Sequence, residues 1–250
     1  MTKCGDVFSF LCELAPTELQ MDFDNAGFLI GRKDAEVSKV LVALDVTEAV
    51  VEEAIEKGVQ LIVSHHPVIF HSLKSITDEK LLKLVENRIA VISMHTNLDI
   101  ADGGVNDVLL SLLGAKREDV LDEENCGRIG SLPEELSMTD FLRLCKERLH
   151  TNGLRYYNAS RPVRRIAVLG GAGAGEIRSA ACKGCDTYVT SDIKYHEFQL
   201  AAELGINLID GDHFGTEDPM IPVLCEKLAK RFPVVSFQVS EVHKALIAFY

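Results

Sequence analysis

The 250-residue chain has no apolar run approaching the ~18 residues that a membrane helix requires. That excludes a helical membrane span. It is short of positive charge, with 26 Lys and Arg against 38 Asp and Glu and a net charge of −12. Nucleic-acid binding relies on basic patches, so a polyanion would be repelled on average. The one basic cluster, Arg161 to Arg165, borders an apolar segment and reads as the solvated approach to a strand. A paired-cysteine framework is also missing. The seven cysteines are odd in number and scattered, unlike a secreted disulfide scaffold. Cys182 and Cys185 form a lone C-x-x-C with no second pair to close a four-ligand zinc site. They fall in a helical pattern where i and i+3 share a face, so a structural reading is preferred over a metal or redox role. The N-terminal apolar stretch is interrupted by Glu13 and lacks a small-residue cleavage site, so a cytoplasmic location is expected.

What remains is ordinary globular composition, 47% hydrophobic and 26% charged. Its periodicity alternates between two and about 3.6. Strands are predicted at 37–46, 59–64 and 89–94, with helices at 47–57, 78–87 and 104–113 between and after them. Thr47 is the expected cap of the first helix and Gly58 its stop. The pattern restarts with strands at 165–169, 187–190 and 206–210 and helices at 175–183, 196–204 and 219–232, and ends in a strand at 234–239. Such alternation predicts an α/β fold with a mostly parallel sheet. The halves look like copies. Asp45 to His65 spans 20 residues and Gly170 to Ser191 spans 21, and the next strand of each half runs into a histidine. Two pseudo-duplicated βαβαβ halves are therefore expected, 1–125 and 126–250. A structured linker at about 115–160 would carry a short strand at 127–130 and a helix at 139–149, and N-terminal segments are allowed to complete the second half.

Three strand-end segments carry the chemistry. Ser64-His65-His66-Pro67 follows a buried strand, at the carboxyl end where α/β crevices form. An extended chain points adjacent side chains to opposite faces, so both rings reach one place only if the chain bends there. Pro67 restricts His66 and favours that bend. Met94-His95-Thr96-Asn97-Leu98-Asp99 follows the next strand and is expected as a loop, with Asp99 either a ligand or a turn cap competing with Asp102. Asp210-Gly211-Asp212-His213-Phe214-Gly215-Thr216-Glu217 follows the third site strand. His213 and Glu217 lie one helical turn apart, although Thr216 as a helix cap would explain the same pattern. Imidazole and carboxylate without cysteine are typical of an open metal site. His65, His66, Asp99, His213 and Glu217 are thus the expected ligands of two divalent metal ions, with zinc, iron and manganese all compatible.

The segments FDNAGFLIG (23–31), ALDVT (43–47), SHHP (64–67), HTNLD (95–99), GGVND (103–107) and DHFGTE (212–217) resemble, in order, the Nif-three-like family, whose members are labelled GTP cyclohydrolase 1 type 2 homologues. Phe23 stands where the family usually has tryptophan. The resemblance implies the short form of the family and two similar α/β halves around a dinuclear centre with the five ligands just named. It also implies a toroidal homohexamer. His95 becomes a residue that orients a ligand or touches substrate, and Asp24 and Asn25 tie the N-terminal segment near the site, unless they merely form a turn.

The expected activity is metal-dependent hydrolysis of a small molecule bearing phosphate, nucleotides included. His95 or Asp192 would move a proton, and His196 with Lys194 would face substrate phosphate. A helix N-terminus capped by Asp192 is the competing reading of that last segment. No P-loop is present. The Gly170–Gly175 run reads either as a phosphate cradle or as a tight turn that lets the strand approach the metal ligands. The alternative in another class is a non-catalytic metal carrier, or a scaffold or adaptor protein.

Overall fold

The computed structural model describes residues 1–248 and divides into two compact units, Met1–Asp102 with Met220–Lys244, and Gly103–Pro219 with Ala245 onward.

The first unit opens with α1 (Cys4–Leu14) and β1 (Gly27–Ile30). Then follow β2 (Lys39–Ala43), α2 (Glu48–Glu56), β3 (Leu61–Ser64), α3 (Glu79–Glu86), β4 (Ala90–Ser93) and a single helical turn, α4 (Thr96–Ile100). β2, β3 and β4 pair in parallel, and β1 lies antiparallel on β4. The parallel strands are nearly unbroken apolar runs because both faces are buried. Leu41, Ile62 and Val91 pack on one face against Val50, Ala54 and Leu84 of α2 and α3. Capping follows the sequence. Thr47 Oγ1 accepts from Val50 N–H at 3.3 Å, and Asp78 does the same for Leu81 at 3.1 Å.

The second unit contains α5 (Val105–Leu112), β5 (Lys116–Val120), β6 (Arg128–Leu136), α6 (Met138–Arg148), β7 (Arg155–Tyr157) and β8 (Val163–Val168). It continues through α7 (Ile177–Cys182), β9 (Thr187–Thr190), α8 (Tyr195–Leu204), β10 (Asn207–Asp210) and α9 (His213–Glu217). Its sheet order is β5-β6-β8-β9-β10-β7, with β8, β9 and β10 parallel and β7 antiparallel on β10. The period-two alternation sorts the side chains. Ile166, Val168, Val189 and Ile209 join Phe141 and Cys145 on one face, and Ala167, Tyr188 and Leu208 join Ile177, Ala180 and Ala201 on the other.

After Pro219 the chain contributes α10 (Met220–Arg231) and β11 (Ser236–Val239) to the first unit, where β11 pairs parallel to β2. The division near residue 125 expected from the pattern therefore gives way to breaks after Asp102 and Pro219. Pairing register, which local pattern does not encode, assigns that last strand. The 115–160 stretch is no linker either, since β5, β6 and β7 belong to the second unit's sheet. The short strand expected at 127–130 is the start of the nine-residue β6, whose latter half is polar and largely exposed. β5 is concealed by its sequence KREDV, with four exposed polar side chains on an edge strand. Among the described residues, no helix is long and apolar enough to cross a membrane.

Candidate functional site

In the first unit, Ser64 ends β3 and its hydroxyl donates to the carbonyl of His66 at 2.8 Å. That i to i+2 hydrogen bond makes the bend that two adjacent histidines need to share a side. The rings of His65 and His66 then lie 5.1 Å apart, and His95, at the end of β4, lies 5.3 and 5.6 Å from them. A ring nitrogen of each of the three falls within 4.8 Å of the others, so this trio can hold a metal ion. The segment expected as a loop after β4 is instead the helical turn α4, with His95 at its N-cap and Asp99 inside it. Asp99 is therefore not a cap, and its Oδ1 lies 3.6 Å from His65 Nε2. His65 and Asp99 are buried, whereas His66 and His95 retain 23% and 18% side-chain exposure, which leaves the trio open on one side.

In the second unit, Asp212 adopts φ +70° and accepts from Phe214 N–H, capping α9. Thr216, the expected cap, lies within the helix. His213 and Glu217 consequently sit one turn apart, with Nε2 and Oε2 at 3.1 Å. Glu217 is buried and His213 is one-third exposed.

The four imidazoles are anchored in the same way. His65 Nδ1 is 2.7 Å from the Met94 carbonyl, His66 Nδ1 2.7 Å from Asp45, His95 Nδ1 2.7 Å from Asp24, and His213 Nδ1 2.8 Å from Asp192. Carbonyls and carboxylates only accept, so each Nδ1 carries the proton and, in the neutral ring, Nε2 carries the lone pair. This is the arrangement that makes histidine a well-oriented metal ligand. Asp24 is the most elaborate anchor, since it also accepts from the backbone N–H groups of Asn25 and Thr96 and from the Thr96 hydroxyl. Burial opposes its ionisation, but the hydrogen bonds from His95 and Thr96 outweigh this and hold the carboxyl down at about 2. The expected tie of Asp24 and Asn25 takes this form, with Asn25 Nδ2 donating to the Ile69 carbonyl at 2.6 Å.

The glycine run resolves in favour of the tight turn. The N–H groups of Gly170, Gly171 and Gly173 already donate to Asn106, Thr216 and Thr190 side chains, so they do not form an anion cradle. Gly171 has φ +67°, and a Cβ there would lie 2.2 Å from Glu217 Oε1 and 3.3 Å from His213 Nε2. Only glycine lets this backbone run beside the two donors.

Asp192 does not cap α8. Lys194 is the N-cap residue, and the Glu197 carboxylate accepts from its backbone N–H. Asp192 holds His213 instead. His196 is exposed, 4.0 Å from Glu197, and joins no ligand-spaced group among the described residues. Cys182 and Cys185 carry free thiols, and no cysteine joins such a group among the described residues. Burial pushes the Cys185 thiol up to about 11, consistent with an inert core residue. Asp45 is a supporting residue to which the sequence assigns no role, and Thr216, read there as a cap, instead accepts from Gly171 N–H. Position just past a strand end is the signal that Asp45 offers.

In these two α/β units, strand ends present anchored imidazoles and buried carboxylates in groups that could hold a metal ion. The chain belongs to the Duf34/NIF3 (NGG1p interacting factor 3) family, whose model matches residues 2–245. A Clostridium perfringens relative named GTP cyclohydrolase 1 type 2 homolog is 33% identical, with 97% of each chain covered. One of the same name from Clostridium acetobutylicum is 34% identical over 90% of this chain and 89% of its own. Among solved structures, a Bacillus cereus protein related to NIF3 superposes with a TM-score of 0.93 at 26% identity, covering 100% of this chain and 99% of that one. Staphylococcus aureus protein SA1388 gives 0.91 at 29%, with the same coverage.

Proposed function

We propose that this chain binds two divalent cations through His65, His66, Asp99, His213 and Glu217 and is a hydrolase of phosphate-bearing small molecules, nucleotides included. The observation that carries the reading is the common anchoring of Nδ1 in His65, His66 and His213, which leaves Nε2 of each ring as the coordinating atom. The cations, when bound, supply Lewis acidity toward a phosphoryl or carbonyl oxygen and lower the pKa of water. The buried side chains of His65, Asp99 and Glu217 are pre-positioned donors that water does not compete for, while the more exposed His66 and His213 leave room for substrate. His95 is assigned the proton-moving role, its ring held against the ionised Asp24. Asp192 positions His213. Lys194 and the exposed His196, at the start of α8, are assigned the outer contacts to substrate phosphate. The names of the relatives make guanosine triphosphate the first compound to try. A homohexamer completes the proposal, and its mass in solution would be six times 27.5 kDa.

The test combines metal analysis of the purified protein with a screen of nucleotides and phosphomonoesters, with and without chelator. Turnover that disappears with chelator and in folded His65→Ala and Glu217→Ala variants supports the hydrolase. Tight metal binding, rapid transfer to an apo acceptor and no turnover on any compound would replace it with a carrier.

A further inference from the structure

The first unit carries an aromatic feature that metal binding does not use. Phe23 is 63% exposed and Phe70 is 37% exposed. They come from segments 47 positions apart in the sequence, yet their rings lie 6.4 Å apart at 53°. Phe70 also meets His95 edge to face, with centroids 6.1 Å apart at 85°, and His95 adjoins His65 and His66. A chain of rings thus runs from the imidazole trio to solvent.

The local structure holds this chain in place. Phe23 directly precedes Asp24, whose carboxylate binds His95 and Thr96. Asn25 Nδ2 grips the carbonyl of Ile69, the residue before Phe70. Both phenyl rings therefore adjoin residues hydrogen-bonded into the segment of Asp24, which orients His95. The segment between His66 and α3 is long for a connection without helix or strand, a length usually reserved for binding loops and lids. It carries exposed Phe70, Leu73 and Ile76 together. Solvent-exposed aromatics clustered at the mouth of a polar site mark a place where ligand surface is meant to be covered.

We infer that Phe23, buttressed by Phe70, is a stacking platform for the planar heteroaromatic ring of the substrate, whose phosphate-bearing part faces the imidazole trio. This rests on the proposed reading of the site as one that takes phosphate-bearing small molecules, and it narrows that class to compounds with a base-like ring. A π-face accepts any base, so the platform confers ring dependence rather than selectivity among bases.

The chain has no tryptophan, so Phe23→Trp places a single reporter on the platform. Binding is measured on the metal-loaded full chain, without reference to turnover. The probes are guanosine triphosphate, adenosine triphosphate and inorganic triphosphate. Both nucleotides should quench the indole fluorescence of the Phe23→Trp variant saturably, and the ring-less triphosphate should not. By calorimetry, Phe23→Ala should weaken both nucleotides about tenfold, within the range for loss of one stacking partner. Triphosphate affinity should stay unchanged, and Phe23→Trp should restore nucleotide affinity. Equal loss for all three probes, or no loss for any, overturns the platform. Unchanged nucleotide affinity with a fall in solution mass for Phe23→Ala overturns it too, because the rings would then serve contact between copies. If triphosphate itself fails to bind the wild type while nucleotides do, the phosphate-site reading fails and the platform stands.

Discussion

The two units share a four-strand arrangement and use it differently. In each, three parallel strands lie side by side in sequence order with an antiparallel strand on the outer edge of the third, β1 on β4 and β7 on β10. In each, the third strand runs into a histidine and a single helical turn with an acid four residues on, His95 with Asp99 and His213 with Glu217. The middle strands part company. β3 ends in two imidazoles, whereas β9 ends in Ser191 and Asp192, and Asp192 serves as the anchor for His213. The acids differ as well. Glu217 pairs with the histidine of its own turn at 3.1 Å, while Asp99 lies 3.6 Å from His65 of the neighbouring loop. A similar arrangement of strands therefore presents two imidazoles in one unit where it presents a supporting carboxylate in the other.

The most direct challenge to this parallel is to remove one donor from each unit. His65→Ala and Glu217→Gln should each lower bound metal per chain by at least about tenfold by elemental analysis, with the circular dichroism spectrum retained. A full metal complement in either variant removes that unit from the binding function. Next in size comes the glycine contact. Gly171→Ala forces a Cβ against Glu217 from a positive-φ position, while Gly175→Ala meets nothing within 4 Å. The first should cost about 1–3 kcal/mol of stability and most of the bound metal, and the second should be near neutral in thermal melts. Equal behaviour of the pair would show that the glycine run does not support Glu217.

The anchors separate the two units further. Asp45→Asn and Asp192→Asn each remove the carboxylate behind one proposed ligand imidazole, His66 and His213, and should weaken metal affinity by about 10–100-fold, read by competition with a chromogenic chelator. Asp24, behind His95, should matter for acid stability. Its carboxyl is held at about 2, below the ordinary range. Its contribution is therefore full at pH values above the unfolded-state pKa of about 4 and is lost as pH falls from there through about 2. Acid unfolding of metal-free wild type should lie at lower pH than that of Asp24→Asn, and coincident midpoints would contradict the depressed value. The smallest effects belong to the helix caps. Thr47→Ala in the first unit and Ser137→Ala in the second should each cost about 1 kcal/mol in denaturant titrations.

Much of this was legible in the chain. The parallel strands β2 to β4 and β8 to β10 announced themselves because strands buried on both faces have apolar centres. Thr47 and Asp78 marked helix starts because their side chains complete the backbone there. The edge strands β5 and β7 were hidden, since an edge that faces water carries polar residues and resembles a loop. The turns α4 and α9 were hidden by their five-residue length, which leaves no room for a periodic signal. Gly170–Gly175 stayed ambiguous until the partners of its N–H groups were known.

The sequence by itself determined the α/β class, the donor types and the strand ends they occupy, because periodicity and motif order are local properties of the chain. Tertiary structure alone decided that β11 belongs beside β2, that Asp24 and Asp45 stand behind imidazoles, and that Phe23 meets Phe70. Each of those joins residues at least 21 positions apart. Such pairings depend on how whole elements pack, which no local pattern records.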